Sequence, residues 1–221
     1  MTTWKNDKEL FAAMKQDLYT GVLCDMLDTI GYCHQFLPRD IQSLRQTDVM
    51  AGRAFPTIIC DVYGEQDEPL GLLVEAVDDI KEDEVYIVTG GDRRCGYFGE
   101  IMTATIKARH AVGAVVDGYM RDTRQVLEQD FPVFSMGRDA QGSGYRNKVI
   151  AYRVPVEVGG IHIDPGDIIF GDIDGVVVIP RAIEKQALEI TFEKVHGERE
   201  TRAAVEHGLS AQEAVALYGV F

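Results

Sequence analysis

The sequence predicts an α/β fold, and two stretches carry that expectation. In the first, the apolar run Val85-Tyr86-Ile87-Val88 ends in Gly90-Gly91. A helical pattern follows from Gly99 to His110, with Ile101, Ala104, Thr105 and Ala108 on one face, and then a second apolar run, Ala114-Val115-Val116. A strand–helix–strand unit of this kind expects parallel pairing and a right-handed crossover. In the second, the pattern after Asn147 changes to short alternating runs, and from Arg181 onward it is helical. With 221 residues, 46% of them hydrophobic, the chain can bury a proper core. It shows no Pro/Ser-rich linker, no low-complexity tract and no internal repeat, so one domain over residues 1–221 is expected.

In chain order, Leu10, Met14, Leu18, Val22 and Met26 recur near helical spacing between residues 7 and 30, with Gly31 as the stop. Thr20 and Gly21 interrupt the run and predict two helices with a break there; Asp25 and Asp28 read as a solvated face. Residues 34 to 48 read as loop. Ala54 to Cys60 reads as a strand within Met50 to Val62, and Pro56 predicts an edge position or a bulge. A polar turn from Gly64 to Pro69 leads to a short helix, Leu70 to Ile80, with Leu73, Val77 and Ile80 on one side. Lys81 to Glu84 turns the chain into Val85, and Gly113 is read as the end of the Gly99–His110 helix. Thr123 to Gln129 reads as a short helix and Phe131 to Phe134 as a short strand. Strands are expected at Val154–Val158, Ile161–Ile163, Ile168–Phe170 and Val176–Ile179. Between the second and third, Asp164-Pro165-Gly166-Asp167 places Pro and Gly at the central positions of a type II turn. The end is helical, from Arg181 to about His207 and from Ser210 to Tyr218, with Ser210 and Glu213 as a capping box.

Composition narrows the function classes. A net charge of −14 argues against a nucleic-acid partner, because phosphate contacts need clustered Lys and Arg. The charge reads first as a soluble acidic surface. The four cysteines, Cys24, Cys33, Cys60 and Cys95, form no C-x-x-C pair and no zinc spacing, and read as reduced thiols of a cytoplasmic protein. The first seven residues have no apolar signal core, and no apolar run is long enough to cross a bilayer, so no membrane partner is expected. The five histidines have no ligand spacing.

The chemistry concentrates between Gly90 and Asp122. Ligands of open α/β sheets bind just beyond the carboxyl ends of strands. If a helix opens at Gly99-Glu100, the N–H groups of Ile101 and Met102 are among its unpaired donors and suit a small carboxylate. The plainer reading is a glycine turn with an acidic residue favoured by the helix dipole. Arg121 offers a planar fork that matches a carboxylate. Asp122 is a hard oxygen ligand suited to magnesium or manganese; the plainer reading of the two is a loop ion pair. Arg93 and Arg94, between Gly91 and Gly99, are either substrate contacts or solvated loop residues. Asp172 and Asp174 read as turn residues rather than a second metal site.

Spacing joins these pieces. Glu100 is followed by twenty residues and then Arg121-Asp122. With Gly113-Ala114-Val115-Val116-Asp117-Gly118, Pro165-Gly166-Asp167 and the run from Gly171 to Pro180, the chain resembles, over most of its length, the family of the class II 4-hydroxy-4-methyl-2-oxoglutarate aldolases and the regulator of ribonuclease E activity A. The resemblance implies an RraA-like (swivelling β/β/α) domain with a central mixed sheet flanked by helices and a C-terminal helical extension. It implies a lyase that cleaves a 4-hydroxy-2-oxo acid to give pyruvate, decarboxylates oxaloacetate, and uses Mg²⁺ or Mn²⁺ as cofactor. Gly99, Glu100, Ile101 and Met102 would then bind the pyruvyl carboxylate, largely through backbone N–H groups. Arg121 would bind the substrate and stabilise the enolate oxygen, Asp122 would ligate the metal, and Glu100 would assist proton transfer through water at the metal. No lysine would form a Schiff base; Lys107 is the nearest in sequence. The family also implies a homotrimer or homohexamer, in which a neighbouring subunit contributes a carboxylate from the region of Glu193, Glu198 and Glu200. One position departs from the pattern: the aldolases carry aspartate where this chain has Glu100. A methylene moves the carboxylate by about one C–C bond, and a misplacement on the order of 1 Å can cost ~10²-fold in rate. Two other readings compete: a regulator that binds a ribonuclease, and a related lyase for a different small oxo acid. The complete acidic-x20-Arg-Asp marker favours the enzyme.

Overall fold

The structure, a computed structural model, describes residues 4–218; the first three residues of the stretch read for a signal core lie outside it. Two helices, α1 (Asp7–Asp17) and α2 (Thr20–Thr29), precede β1 (Gln42–Ser43) and β2 (Met50–Asp61). Then come α3 (Leu73–Asp79), β3 (Glu84–Thr89), β4 (Gly96–Phe98), α4 (Glu100–Ala108), β5 (Gly113–Met120), α5 (Thr123–Glu128) and β6 (Val133–Arg138). The second half holds β7 (Asn147–Tyr152), the hairpin β8 (Val156–Val158) and β9 (Ile161–Ile163), then β10 (Ile168–Asp172) and β11 (Gly175–Ile179). Two helices close the chain, α6 (Glu184–Glu206) and α7 (Ala211–Tyr218). The main sheet runs β1-β6-β5-β3-β2-β10-β11, with β4 added to β5 and β7 to β2. Its centre, β2, β3, β5 and β6, is parallel, and β10, β11 and β7 join antiparallel, so the sheet is mixed as expected. The end strands β1 and β11 approach one another, and the sheet is nearly closed.

Side chains on successive strand residues point to opposite faces, and this alternation sorts the core. Phe55, Tyr86, Val88 and Val116 face α3, α4 and α5, where Ile106 and Val126 meet them. Ile87, Val115, Phe134 and Ile169 face inward, where the β8–β9 hairpin adds Val158 and Ile163. Phe170 and Ile179 face α1, α2 and α6, against Phe11, Met14, Leu23 and Leu188. Each such side chain contributes about 1.5–3 kcal/mol relative to leaving it in water. Among the described residues, no helix is long and apolar enough to cross a membrane.

Several sequence expectations are corrected here. Pro56 does not lie on an edge strand. β2 is interior, with β3 along one side; along the other, β10 pairs Met50–Arg53 and β7 takes over from Thr57. Pro56 sits in the gap between these two partners, where its missing N–H leaves no ladder bond unmade; its carbonyl accepts from Arg153 N at 2.8 Å. A register shift against β7 follows between Ile58 and Ile59. The break between the first two helices comes before Thr20. Leu18 ends α1, Tyr19 is extended, and Thr20 is the first residue of α2. Asp172 fixes this start by accepting from Thr20 N at 2.8 Å and Thr20 Oγ1 at 2.7 Å, and it also accepts from Asp174 N at 2.9 Å. Helix α4 stops at Ala108 and His110 turns the chain at φ 64°; Gly113 opens β5 instead of ending the helix. The helix expected from Leu70 starts at Leu73. β1, which falls in the stretch read as loop, and β4 and β7 are additional strands, and β5 runs through Asp117-Gly118 to Met120. The type II turn is present, with Gly166 at φ 90° and Asp167 N donating to Asp164 O at 3.1 Å. The capping box is present too, with Ser210 N donating to Glu213 Oε2 at 3.0 Å and Glu213 N to Ser210 Oγ at 3.2 Å.

Candidate functional site

The physical meaning of the twenty-residue spacing is a closed loop in space. β4 and β5 pair in parallel, Gly96 with Tyr119 and Phe98 with Met120, and Arg121 N donates to Phe98 O at 2.8 Å. α4 leaves the end of β4, crosses, and returns as β5, so that Arg121 arrives beside Gly99. Two helices therefore start side by side: α4 after Gly99 and α5 after Asp122.

At the first of these ends, Gly99 is the N-cap of α4, and its carbonyl accepts from Thr103 N at 3.0 Å and Thr103 Oγ1 at 2.9 Å. No side chain caps the opening N–H groups of the helix from position 99. At the second end, Asp122 takes the left-handed conformation, φ 55° and ψ 34°, which aspartate tolerates better than most residues. That twist turns its carboxylate away from its own helix and toward α4. Asp122 Oδ2 lies 3.3 Å from Glu100 N and 3.4 Å from Arg121 Nε. Both separations are long for charge-assisted bonds, and the two side chains stay 40% and 44% exposed, so the carboxylate, turned to α4 through Oδ2, is still partly open to a ligand. The approach depends on Gly99, where a Cβ would stand 2.6 Å from Asp122 Oδ2 and 3.2 Å from Arg121 Cγ.

Gly99, Glu100, Ile101, Met102, Arg121 and Asp122 all line one cleft of about 310 Å³. The residue set expected from sequence is thus brought together. Leu70, Leu73, Gly96, Phe98, Gln125 and Ser143 add to the wall. Tyr97 also borders the cleft; burial pushes its phenol up to about 12, so the hydroxyl stays protonated at neutral pH. Of the lining side chains, Arg121 is the cation and Glu100 and Asp122 are the anions.

Other expectations place differently. Arg93 and Arg94 do not line the cleft. Arg93 Nη2 donates to Asp117 Oδ1 at 2.7 Å, and that buried carboxylate also accepts from Thr89 Oγ1 at 2.7 Å. Arg94 pairs with Asp92 at 2.6 Å and lies over the Tyr63 ring at 4.7 Å. Lys107 bonds the Gln129 carbonyl. On α6, Glu198 accepts from Tyr19 OH and Glu200 pairs with His196, and neither these nor Glu193 lines the cleft of their own chain. Gly96, Gln125 and Ser143 line the cleft and Gly142 packs on Arg121, and no motif in the sequence marks any of them. Gly96 N donates to Gln141 O at 2.9 Å, which brings the loop 139–146 against Arg121. The only signal for that loop is the Gly142-Ser143-Gly144 run, which by itself reads as a turn.

Among the described residues there is no cluster of three His, Cys, Asp or Glu that would cage a metal by itself. Magnesium does not require one, because it keeps several waters and is held by one or two carboxylates together with substrate oxygens. Asp122, a partly exposed carboxylate beside a glycine that leaves it room, suits that mode.

The chain is similar to known proteins over most of its length. The family model described as RraA-like, Aldolase/RraA, matches residues 20–178. A protein of Halalkalibacterium halodurans, provisionally named a 4-hydroxy-4-methyl-2-oxoglutarate aldolase, is 28% identical over 91% of each chain. A crystal structure described under novel cellulases from microbes associated with the gut ecosystem is 34% identical, covers 90% of each chain and superposes with a TM-score of 0.83. The Streptomyces coelicolor protein RraAS2, described as an unusual member of the RNase ES inhibitor RraA family, is 25% identical. It covers 91% of this chain and 99% of its own, with a TM-score of 0.78. The chain therefore belongs to the RraA-like, Aldolase/RraA, family.

Proposed function

We propose that this protein is a divalent-metal-dependent lyase that cleaves a 4-hydroxy-2-oxo acid of the 4-hydroxy-4-methyl-2-oxoglutarate type to give pyruvate, and that it also decarboxylates oxaloacetate. The observation that carries the reading is the meeting of the α4 N-terminus, Arg121 and the partly exposed Asp122 carboxylate in one small cleft. The provisional aldolase name of the H. halodurans relative supports it. When bound at Asp122, Mg²⁺ or Mn²⁺ would supply Lewis-acid charge to the 2-oxo acid.

The chain's own groups divide the remaining work. Backbone N–H groups of Ile101 and Met102 receive the substrate carboxylate at the positive end of the helix dipole. Arg121 places its guanidinium where negative charge develops on the keto oxygen. Glu100 takes the C4 hydroxyl proton through water as the C3–C4 bond breaks; the bond's electron pair passes to C3 as pyruvate enolate, and a carbonyl forms at C4. Reprotonation at C3 gives pyruvate. With oxaloacetate the same bond breaks with loss of CO₂ and leaves the same enolate. Among the described residues no lysine lines the cleft, and the scheme uses no Schiff base. Ile101, 75% exposed, and Leu70, 42% exposed, stand on the cleft rim; this apolar rim supports a subunit contact beside the site, and the assembly we propose, as the family resemblance implies, is a homotrimer or homohexamer.

The test is pyruvate release from 4-hydroxy-4-methyl-2-oxoglutarate and from oxaloacetate, with Mg²⁺ or Mn²⁺ and with chelator. Turnover that the chelator abolishes is expected. The likeness to the Streptomyces RNase ES inhibitor family favours a second reading, a regulator that binds a ribonuclease. No metal-dependent turnover of either acid, with tight ribonuclease binding, would establish that reading instead. Turnover of another small 2-oxo acid alone would identify a related lyase.

A further inference from the structure

We propose that Gly142 is a positioning residue for Arg121: its lack of a side chain lets the loop 139–146 lie flat against the guanidinium and hold it over the cleft. The inference rests on Arg121 being the working cation of the site. Its basis is the way Arg121 is held. The only charged group paired with it among the described residues is Asp122, 3.4 Å from Nε, too long for a strong bond. Its direction is set instead by close packing against three glycines from two segments, Gly96 in β4 with Gly99 just after it, and Gly142 in the loop 139–146. A Cβ at Gly96 would stand 3.1 Å from Arg121 Cβ, and one at Gly99 would stand 3.2 Å from Cγ, so these two confine the stem. A Cβ at Gly142 would stand 2.5 Å from Nη1 and 3.4 Å from Cζ, so Gly142 confines the head.

The requirement at Gly142 is space alone. Its backbone is not in the left-handed region, and alanine can adopt its conformation. The loop cannot easily back away. Asp139 N donates to Met120 O at 2.9 Å, Gly96 N donates to Gln141 O at 2.9 Å, and Arg146 Nη1 donates to Gly142 O at 2.9 Å. Of the two sides of the clash, the guanidinium is the free end of a flexible side chain and the loop is anchored backbone. A methyl group at position 142 therefore moves the guanidinium and leaves the fold in place. Gly144, two residues along, is a built-in control, because a Cβ there meets nothing within 4 Å.

The experiment compares Gly142→Ala and Gly144→Ala in the full chain, in the wild-type and Arg121→Lys backgrounds. Displacing a substrate-binding group by on the order of 1 Å costs ~10²-fold, and a loss of about that size in kcat/KM for oxaloacetate is expected of Gly142→Ala. Gly144→Ala should match wild type, and both should melt close to it. In the Arg121→Lys background, which lacks the clashing Nη1, Gly142→Ala should cost little, a non-additivity expected of groups in contact and not of distant, independent sites. Crystal structures of wild type and Gly142→Ala should show the guanidinium displaced and the loop unmoved. Wild-type kinetics, an equal loss in the Arg121→Lys background, an unmoved guanidinium or a failure of Gly142→Ala to fold would each overturn the proposal. If wild type turned over no 2-oxo acid, the lyase reading would fall, and the pair of crystal structures would still decide the role of Gly142.

Discussion

Asp122 Oδ2 lies 3.3 Å from the backbone nitrogen of Glu100: a carboxylate that follows one strand reaches the helix start that follows its neighbour. The left-handed turn at Asp122 and the bare Cα of Gly99 together allow this approach.

Gly99→Ala tests that relationship. The φ of −161° at Gly99 is extended and open to any residue, so alanine adds no backbone strain. Its Cβ, however, would meet Asp122 Oδ2 at 2.6 Å. The variant should fold normally and bind Mn²⁺ about 10-fold or more weakly, as read by titration against wild type. Unchanged affinity would separate Asp122 from the metal.

Asp122→Ala and Arg121→Ala should fail differently. The first should abolish metal-dependent turnover at any metal concentration. The second removes stabilisation that develops with the enolate, and should lower kcat by roughly 10²–10³-fold while Mn²⁺ binding stays near wild type. Steady-state kinetics beside a metal titration distinguishes the two.

Glu100→Asp addresses the position that departs from the aldolase pattern. If the longer side chain is a tuning change, the shorter one should raise retro-aldol activity. An unaltered rate would show that the methylene carries no such role.

Asp172→Ala should cost stability, not catalysis. Asp172 is buried and accepts from both the N–H and the hydroxyl of Thr20 at the start of α2. Losing a cap and leaving buried donors unpaired costs about 1–3 kcal/mol, measurable by denaturant unfolding.

Acid sensitivity should include a contribution from Asp7. Its hydrogen bonds with Arg53 hold its carboxyl below the ordinary value of 3.8. A depressed carboxyl stabilises the fold above its unfolded value and loses that contribution as pH falls through the folded value. Stability of wild type should therefore drop below about pH 4, and Asp7→Asn should show a shallower drop over the same range.

What could be read from sequence follows physical range. α4 and the core of β5 were legible as elements, although the face read for α4, Ile101, Ala104, Thr105 and Ala108, is its exposed or half-exposed side and Thr103 and Ile106 are the buried residues. The Glu100-x20-Arg121-Asp122 spacing measures one crossover, so the grouping of the candidate site residues was legible too. β4 was not, because Gly96-Tyr97-Phe98 is three residues long and is a strand only by virtue of pairing with β5. β7 carries Asn147 and Lys148 beside apolar residues, and its partner β2 lies far away in sequence. Pro56 marks an irregularity, as one of its two readings has it, with the register shift between Ile58 and Ile59; the edge reading fails because its missing donor is harmless where β10 gives way to β7. Arg93 looked free in a glycine-rich loop, but the buried Asp117 that holds it lies 24 positions along the chain. Gly142 shows its role only through its distance to Arg121.

The most direct test of the proposed site is a crystal soaked with manganese and pyruvate. The expected result is an anomalous manganese peak at the Asp122 carboxylate, with the pyruvate carboxylate at the N–H groups of Ile101 and Met102 and its keto oxygen toward Arg121. Manganese bound elsewhere, or pyruvate absent from this cleft in a crystal whose Asp122 is free of lattice contacts, would contradict it.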